Sequence, residues 1–200
     1  MHSKHNCEVV PYDEVAYWNL RENPNAKLDP EVHATHIQFV ETHVKPCDHV
    51  LDFGPGVGRM FPAYRHTMHV HGHDISDMYA EKLLERAVKE SFLFSFTVQQ
   101  RVGELPYKDK EFTVAVAISV FLHQRPHNIL TVMSELRRVA DRVIAISFYD
   151  PSKPFVLLSQ KEVTSKAYCF NYDYPQIVNE QGWIVTEAER FRNYLMFEYR

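Results

Sequence analysis

Two hundred residues, 45% of them apolar and 24% charged, are enough to bury one core without a disulfide or metal staple. A formal charge of −4, with no strong basic excess, argues against a broad electrostatic grip on nucleic acid. Cys7, Cys47 and Cys169 are scattered and odd in number, unlike a disulfide framework or a paired metal site, and no apolar run has the length of a signal peptide or a membrane span.

The expectation is a single cytoplasmic domain over residues 1–200, with an amino-terminal helical arm (1–45), a ligand-binding core (46–150) and a substrate-side segment with a terminal hairpin (151–200). The arm carries Tyr12, Tyr17, Trp18 and Arg21, an aromatic set suited to packing on the sheet edge or covering a ligand. Asp29-Pro30 then reads as a helix start. Val32, Thr35, His36, Phe39, Val40 and Val44 fall at helical spacing over about 30–44, and Pro46 closes the run. His33 and His36 sit one helical turn apart, and His2 and His5 lie in the terminus.

His49 to Phe53 is the first predicted strand, followed by the glycine turn Gly54-Pro55-Gly56-Val57-Gly58. A helix is expected from Val57 to about His66, its first amides offering partial positive charge to a ligand at the turn. Met68 to His73 is the second strand, ending at Asp74. On it His69, His71 and His73 point to one face, and no further ligand completes a metal set. A helix over about Asp77 to Glu90 follows, striped by Met78, Leu83, Leu84, Ala87 and Val88.

Leu93 to Val98 and Phe112 to Val120 read as strands three and four. The unbroken apolar run Val114 to Ile118 marks a central parallel strand buried on both faces. A helix over about His127 to Ala140 leads to strand five, Arg142 to Phe148. An aromatic cluster, Tyr168 to Pro175, is assigned to the substrate side. Trp183 to Val185 and Tyr194 to Tyr199, linked around Arg190 to Asn193, are too close for a parallel crossover and must pair antiparallel. The predicted fold class is α/β: a Rossmann-like, mostly parallel seven-stranded sheet with helices on both faces and a C-terminal antiparallel hairpin.

In such sheets ligands lie beyond the carboxyl ends of the strands. The first such end reads D-x-G-x-G-x-G from Asp52 to Gly58. A dinucleotide turn would want its third glycine at position 59, which is Arg59. Asp52 is either a ligand-orienting or a turn-capping carboxylate. Asp74, about twenty residues on, matches the two hydroxyls of a ribose with its two oxygens. Its other reading is helix capping, in competition with Ser76.

The pattern resembles the first signature of the class I S-adenosylmethionine-dependent methyltransferases. The resemblance covers about residues 47–150 and extends to Gly103-Glu104-Leu105-Pro106 after the third strand and to Ile118-Ser119-Val120-Phe121-Leu122-His123-Gln124 at the end of the fourth. It implies S-adenosyl-L-methionine as cofactor, with Asp52, Gly54 and Gly56 at its amino-acid end and Asp74 on its ribose. Ile75, Glu104 and Leu105 fall at its adenine and Ser119 at the reaction centre, where His123 is the general-base candidate. No metal is implied. Thr113 stands where the family carries an acid.

The implied reaction is methyl transfer to a small-molecule acceptor by in-line displacement, with no nucleic acid or membrane partner. The rivals are a related transferase using the decarboxylated cofactor, a cofactor-binding partner or sensor without turnover, and a nicotinamide-dependent oxidoreductase. The last is disfavoured by Arg59 and by the lack of a clear Tyr/Lys pair.

Overall fold

The computed structural model describes residues 14–20, 28–67, 69–100, 103–153, 156–159 and 169–200. Tyr12, Arg21 and Tyr168, like Cys7, His2 and His5, lie outside the described residues. In chain order the elements are α1 (Glu14–Asn19), α2 (Pro30–His43), β1 (His49–Phe53), β2 (His69–Asp74), α3 (Asp77–Lys89), β3 (Phe94–Val98) and β4 (Phe112–Ile118). They continue with α4 (Ile129–Val139), β5 (Ala140–Phe148), β6 (Val156–Ser159), β7 (Cys169–Asn171), α5 (Tyr174–Glu180), β8 (Val185–Phe191) and β9 (Tyr194–Tyr199).

Seven strands form one sheet in the order β3-β2-β1-β4-β5-β9-β8. The first five are parallel, while β9 pairs antiparallel with both β5 and β8. Strand order reverses between β1 and β4, which opens a crevice at their carboxyl ends. β4 is the buried centre: Val114, Ala115, Val116 and Ala117 are fully covered. α2 and α3 cover one face with Phe39, Val40, Leu83 and Ala87. α4 and α5 cover the other with Val132, Met133, Leu136 and Val178.

Local chemistry sets the helix ends. Asp29 caps α2 by accepting from the Glu31 amide at 2.9 Å, with Pro30 in the first turn where its missing N–H costs nothing. The side chains that face inward, Val32, His36, Phe39 and Val40, follow the predicted stripe. Burying Phe39 alone contributes about 2 kcal/mol, more than the roughly 1 kcal/mol of the cap.

The expected helix from Val57 to His66 does not form; only a four-residue 3-10 helix, Phe61–Tyr64, follows the glycine turn. Gly58 holds a φ of 77°, which is not helical. Arg86 of α3 donates to the Val57 and Gly58 carbonyls at 3.1 and 2.7 Å, taking acceptors that a first helical turn would use. The terminal hairpin also differs in extent. Its first strand begins at Val185 and runs to Phe191, so Trp183 and Ile184 precede it and the turn narrows to Arg192-Asn193. A second sheet, β6 with β7, is an addition that no alternating pattern announced.

Candidate functional site

β1 delivers the glycine turn to the crevice. Gly54, Gly56 and Gly58 have φ of 70°, 56° and 77°, a region in which a Cβ is strained. The Gly54 amide donates to the His73 carbonyl at 2.8 Å, tying the turn to the end of β2. A Cβ at Gly54 would lie 2.5 Å from Val120 Cγ2, just after β4, so the backbone of β1 passes closely under the fourth strand end.

Asp52 and Asp74 face this turn from adjacent strands. Asp52 is 2% exposed and its Oδ2 has no hydrogen-bond partner among the described residues. Burial, assisted by the nearby Asp74 charge and opposed by Tyr64 and Arg59, pushes its carboxyl up to about 7. Asp74 accepts from the Ile75 and Ser76 amides at 2.7 and 3.1 Å through Oδ1, and from Gly56 at 3.3 Å through Oδ2. These bonds hold its proton affinity down, but burial wins and raises it to about 6. Ser76 takes the helix cap itself, accepting from the Tyr79 amide at 3.3 Å. Asp74 therefore braces the glycine turn rather than α3.

The third strand end divides the predicted pair. The Glu104 side chain is exposed, while its carbonyl accepts from Gln99 Nε2 at 3.1 Å. Leu105 is 6% exposed and packs into the core with Leu51, Met133 and Leu136. Its amide donates to Glu135 Oε2 at 2.7 Å and its carbonyl accepts from Arg138 at 2.9 Å. The Leu-Pro turn is thus clamped by α4, which explains the leucine as packing.

At the fourth strand end Ser119 has a φ of 59°, held by its amide donating to the Ile146 carbonyl at 2.7 Å. A non-glycine residue in that conformation costs about 1 kcal/mol or more and marks a constrained backbone at the crevice. His123 ends the 3-10 helix Phe121–His123. Its Nδ1 lies 3.6 Å from Cys169 Sγ of β7, and Trp18 of α1 meets its ring edge-on at 5.1 Å between centroids. The arm reaches the other side of the crevice as well: Ser76 Oγ donates to Asn19 Oδ1 at 2.7 Å. α1 therefore spans from the end of β2 to the end of β4.

The structure brings Asp52, Gly54, Gly56, Asp74, Ile75 and Ser119 to one sheet end and puts His123 beside them under α1. Tyr172 and Tyr174 of the aromatic cluster are instead 3% and 0% exposed, core residues bonded to the Gln124 carbonyl and Ser147 Oγ. The strand histidines have local partners too. His71 bonds Ser95 and Thr97 at 2.7 and 2.9 Å, and His73 bonds Tyr107 at 2.8 Å. Among the described residues no three His, Cys, Asp or Glu side chains converge as a metal set, and no helix is long and apolar enough to cross a membrane. Thr113 keeps a structural place, donating to Asp48 Oδ1 at 2.8 Å while Asp48 pairs with Arg142 at 2.6 Å. Sequence reasoning used Arg59 only as a break in a motif and passed over Tyr64 and Asn19.

Residues 50–142 match a family described as a methyltransferase domain. No curated protein matches. Among solved structures, a protein of Pyrococcus horikoshii OT3 is 20% identical with a TM-score of 0.70, over 90% of this chain and 96% of that one. The 1,6-didemethyltoxoflavin-N1-methyltransferase of Burkholderia thailandensis, with bound 1,6-didemethyltoxoflavin and S-adenosylhomocysteine, is 16% identical with a TM-score of 0.71, over 86% and 79%. The magnesium protoporphyrin IX methyltransferase of Synechocystis, with bound S-adenosylmethionine, is 17% identical with a TM-score of 0.62, over 84% and 77%. Likeness at such identities establishes the fold.

Proposed function

We propose that this chain is a class I S-adenosylmethionine-dependent methyltransferase that methylates a small-molecule acceptor at the carboxyl end of the sheet, a reading supported by the match of residues 50–142 to a methyltransferase domain. The observation that carries the site is the pairing of a buried Asp52 oxygen, without a hydrogen-bond partner among the described residues, with a glycine turn whose positive φ angles a side chain would strain. A buried acceptor without a donor costs roughly 1–3 kcal/mol unless a ligand supplies one. The ammonium of the cofactor's amino-acid end is such a donor. Asp74 accepts two amides on Oδ1 and one on Oδ2, which leaves Oδ2 one lone pair for a ribose hydroxyl. Ile75 offers an apolar flank, and the exposed Glu104 is the weaker contact, reaching from the rim. Leu105 supports that rim from the core.

When bound, the cofactor supplies a methyl group already activated by a sulfonium. The chain's own work is then to align and to exclude water. α1 roofs the crevice through the one bond that Asn19 accepts from Ser76 and the ring contact of Trp18 with His123. Ser119 and Val120 fix the far wall. His123 is the group placed to take a proton from an acceptor that arrives protonated. The two methyltransferases named above, which act on a toxoflavin precursor and a porphyrin, favour a small acceptor over a macromolecule. The arm and the 151–200 segment are proposed as its substrate side.

Calorimetric titration with S-adenosylhomocysteine tests the cofactor, with micromolar binding expected and none for a nicotinamide dinucleotide. Dinucleotide binding, or no binding of either, overturns the reading. A screen of small acceptors with labelled methyl groups tests the transfer, and His123→Gln is expected to lower it for hydroxyl acceptors.

A further inference from the structure

The second sheet, β6 with β7, brings Cys169 to the general-base candidate His123. β7 pairs antiparallel with β6, Ser159 opposite Cys169. Two neighbouring contacts then join this segment to the 3-10 helix Phe121–His123 and its cap. Cys169 Sγ lies 3.6 Å from His123 Nδ1, and Tyr172 Oη, just past β7, donates to the Gln124 carbonyl at 2.7 Å. Sulfur is larger than oxygen, so 3.6 Å is a hydrogen-bonding distance here. From the other side α1 holds the ring. Trp18 meets it edge-on at 5.1 Å between centroids, and Glu14 pairs with Arg125, two residues past His123, at 3.5 Å. The His123 amide donates to the Val120 carbonyl at 3.0 Å, fixing the backbone from which the ring hangs. The imidazole is thus gripped through its backbone, its ring and Nδ1.

A neutral imidazole has one proton for two nitrogens, and the partner of one nitrogen decides the state of the other. Were the Cys169 thiol to donate to Nδ1, the ring proton would sit on Nε2 and no lone pair would be left for an incoming proton. With Nδ1–H donating to Sγ, Nε2 keeps its lone pair. We infer that Cys169 is a positioning residue for His123: its sulfur accepts from Nδ1–H and holds the ring in the tautomer whose Nε2 removes the acceptor's proton. The inference rests on the reading of His123 as the proton acceptor. As the acceptor's heteroatom takes the methyl, its proton passes to Nε2, and the electron pair that held the methyl stays on the departing sulfur. The imidazolium so formed keeps its Nδ1–H on Cys169 and later returns the other proton to solvent. A thiol is a weak acceptor, so this bond orients the ring more than it raises its basicity.

The test is the tautomer of His123 in the full chain, carrying histidine labelled with heavy nitrogen. It is read from the two-bond proton–nitrogen correlations of the ring at about pH 8, where an unperturbed imidazole is neutral. The His123→Gln spectrum identifies which signals belong to this ring. The Nδ1–H form is expected in the wild-type chain, with a shift to mostly Nε2–H in Cys169→Ala, where Nδ1 loses the sulfur. An Nε2–H ring in the wild-type chain overturns the inference with no variant needed, so the test stands even if Cys169→Ala fails to fold. The same tautomer in wild type and Cys169→Ala would make Cys169 a packing residue and overturn it as well. Transfer to hydroxyl acceptors is expected to fall about a hundredfold in His123→Gln and about threefold to tenfold in Cys169→Ala, the size of one lost hydrogen bond. Transfer that His123→Gln leaves unchanged would instead remove the base reading, and the inference with it.

Discussion

Replacing Gly54 by alanine tests whether the turn is as tight as its geometry requires. Two costs add. A φ of 70° is left-handed, which costs alanine about 1–2 kcal/mol relative to glycine. The new methyl would also lie 2.5 Å from Val120 Cγ2, well inside van der Waals contact. Relieving that overlap shifts a branched, stiff side chain and costs about 1–3 kcal/mol. The sum, about 2–5 kcal/mol, corresponds to a fall in Tm on the order of 5–15 °C for a chain of this size. Urea unfolding of Gly54→Ala, Val120→Ala and the double variant separates the two terms. With Val120 trimmed only the φ penalty remains, so Gly54→Ala should cost about 1–2 kcal/mol in that background. If it costs the same in both backgrounds to within about 0.5 kcal/mol, the close approach of β1 to the fourth strand end is wrong. If it costs nothing in either, the left-handed turn is wrong too.

Asp74→Ala is expected to weaken S-adenosylhomocysteine binding by about 1–3 kcal/mol, and unchanged calorimetric affinity would count against the ribose role. His73 is neutral and buried, pushed down to about 4 by desolvation and by His71. Its folded value lies below its unfolded one, so its contribution to stability is present above about pH 6.5 and lost as pH falls toward about 4. His73→Gln should therefore flatten the urea midpoint between those pH values relative to wild type, by up to roughly 3 kcal/mol. Parallel curves would refute it. Asp52, raised to about 7, acts with the opposite sign: its contribution is present below about pH 4 and lost as pH climbs through 7, so Asp52→Asn should flatten the other slope. Trp18→Ala removes the ring contact that seats α1 on His123, and amide exchange across Glu14–Asn19 should quicken while β4 stays protected. Equal exchange in both proteins would show that the arm is held elsewhere.

The sheet was legible because its signals are local. An apolar run with no alternation, such as Val114 to Ile118, fits a strand covered on both faces, and proline and glycine fix where each strand stops. The carboxylates at the ends of β1 and β2 were legible for the same reason, since a strand end followed by a glycine turn projects them to one edge. The segment after the turn was misread as α-helix because its fate depends on Arg86, twenty-eight residues away, which takes the carbonyls of Val57 and Gly58. Leu105 was named from its place in a motif, whereas the hold of Glu135 and Arg138 on its backbone and the packing of its side chain in the core depend on α4 and are not written along the chain.

By itself the sequence determined the succession of the main-sheet strands with most of their helices, the glycine turn at Gly54 to Gly58 and the acidic residues on either side of it. Those follow from residue type and spacing along the chain, which act over a few bonds. Tertiary structure alone decided which polar groups meet. It set Arg59 against His36, laid Trp18 against His123, and left Asp52 Oδ2 buried with no hydrogen-bond partner among the described residues. Proton affinity and positioning depend on desolvation and on partners brought in from distant elements, and neither quantity exists until the chain has folded.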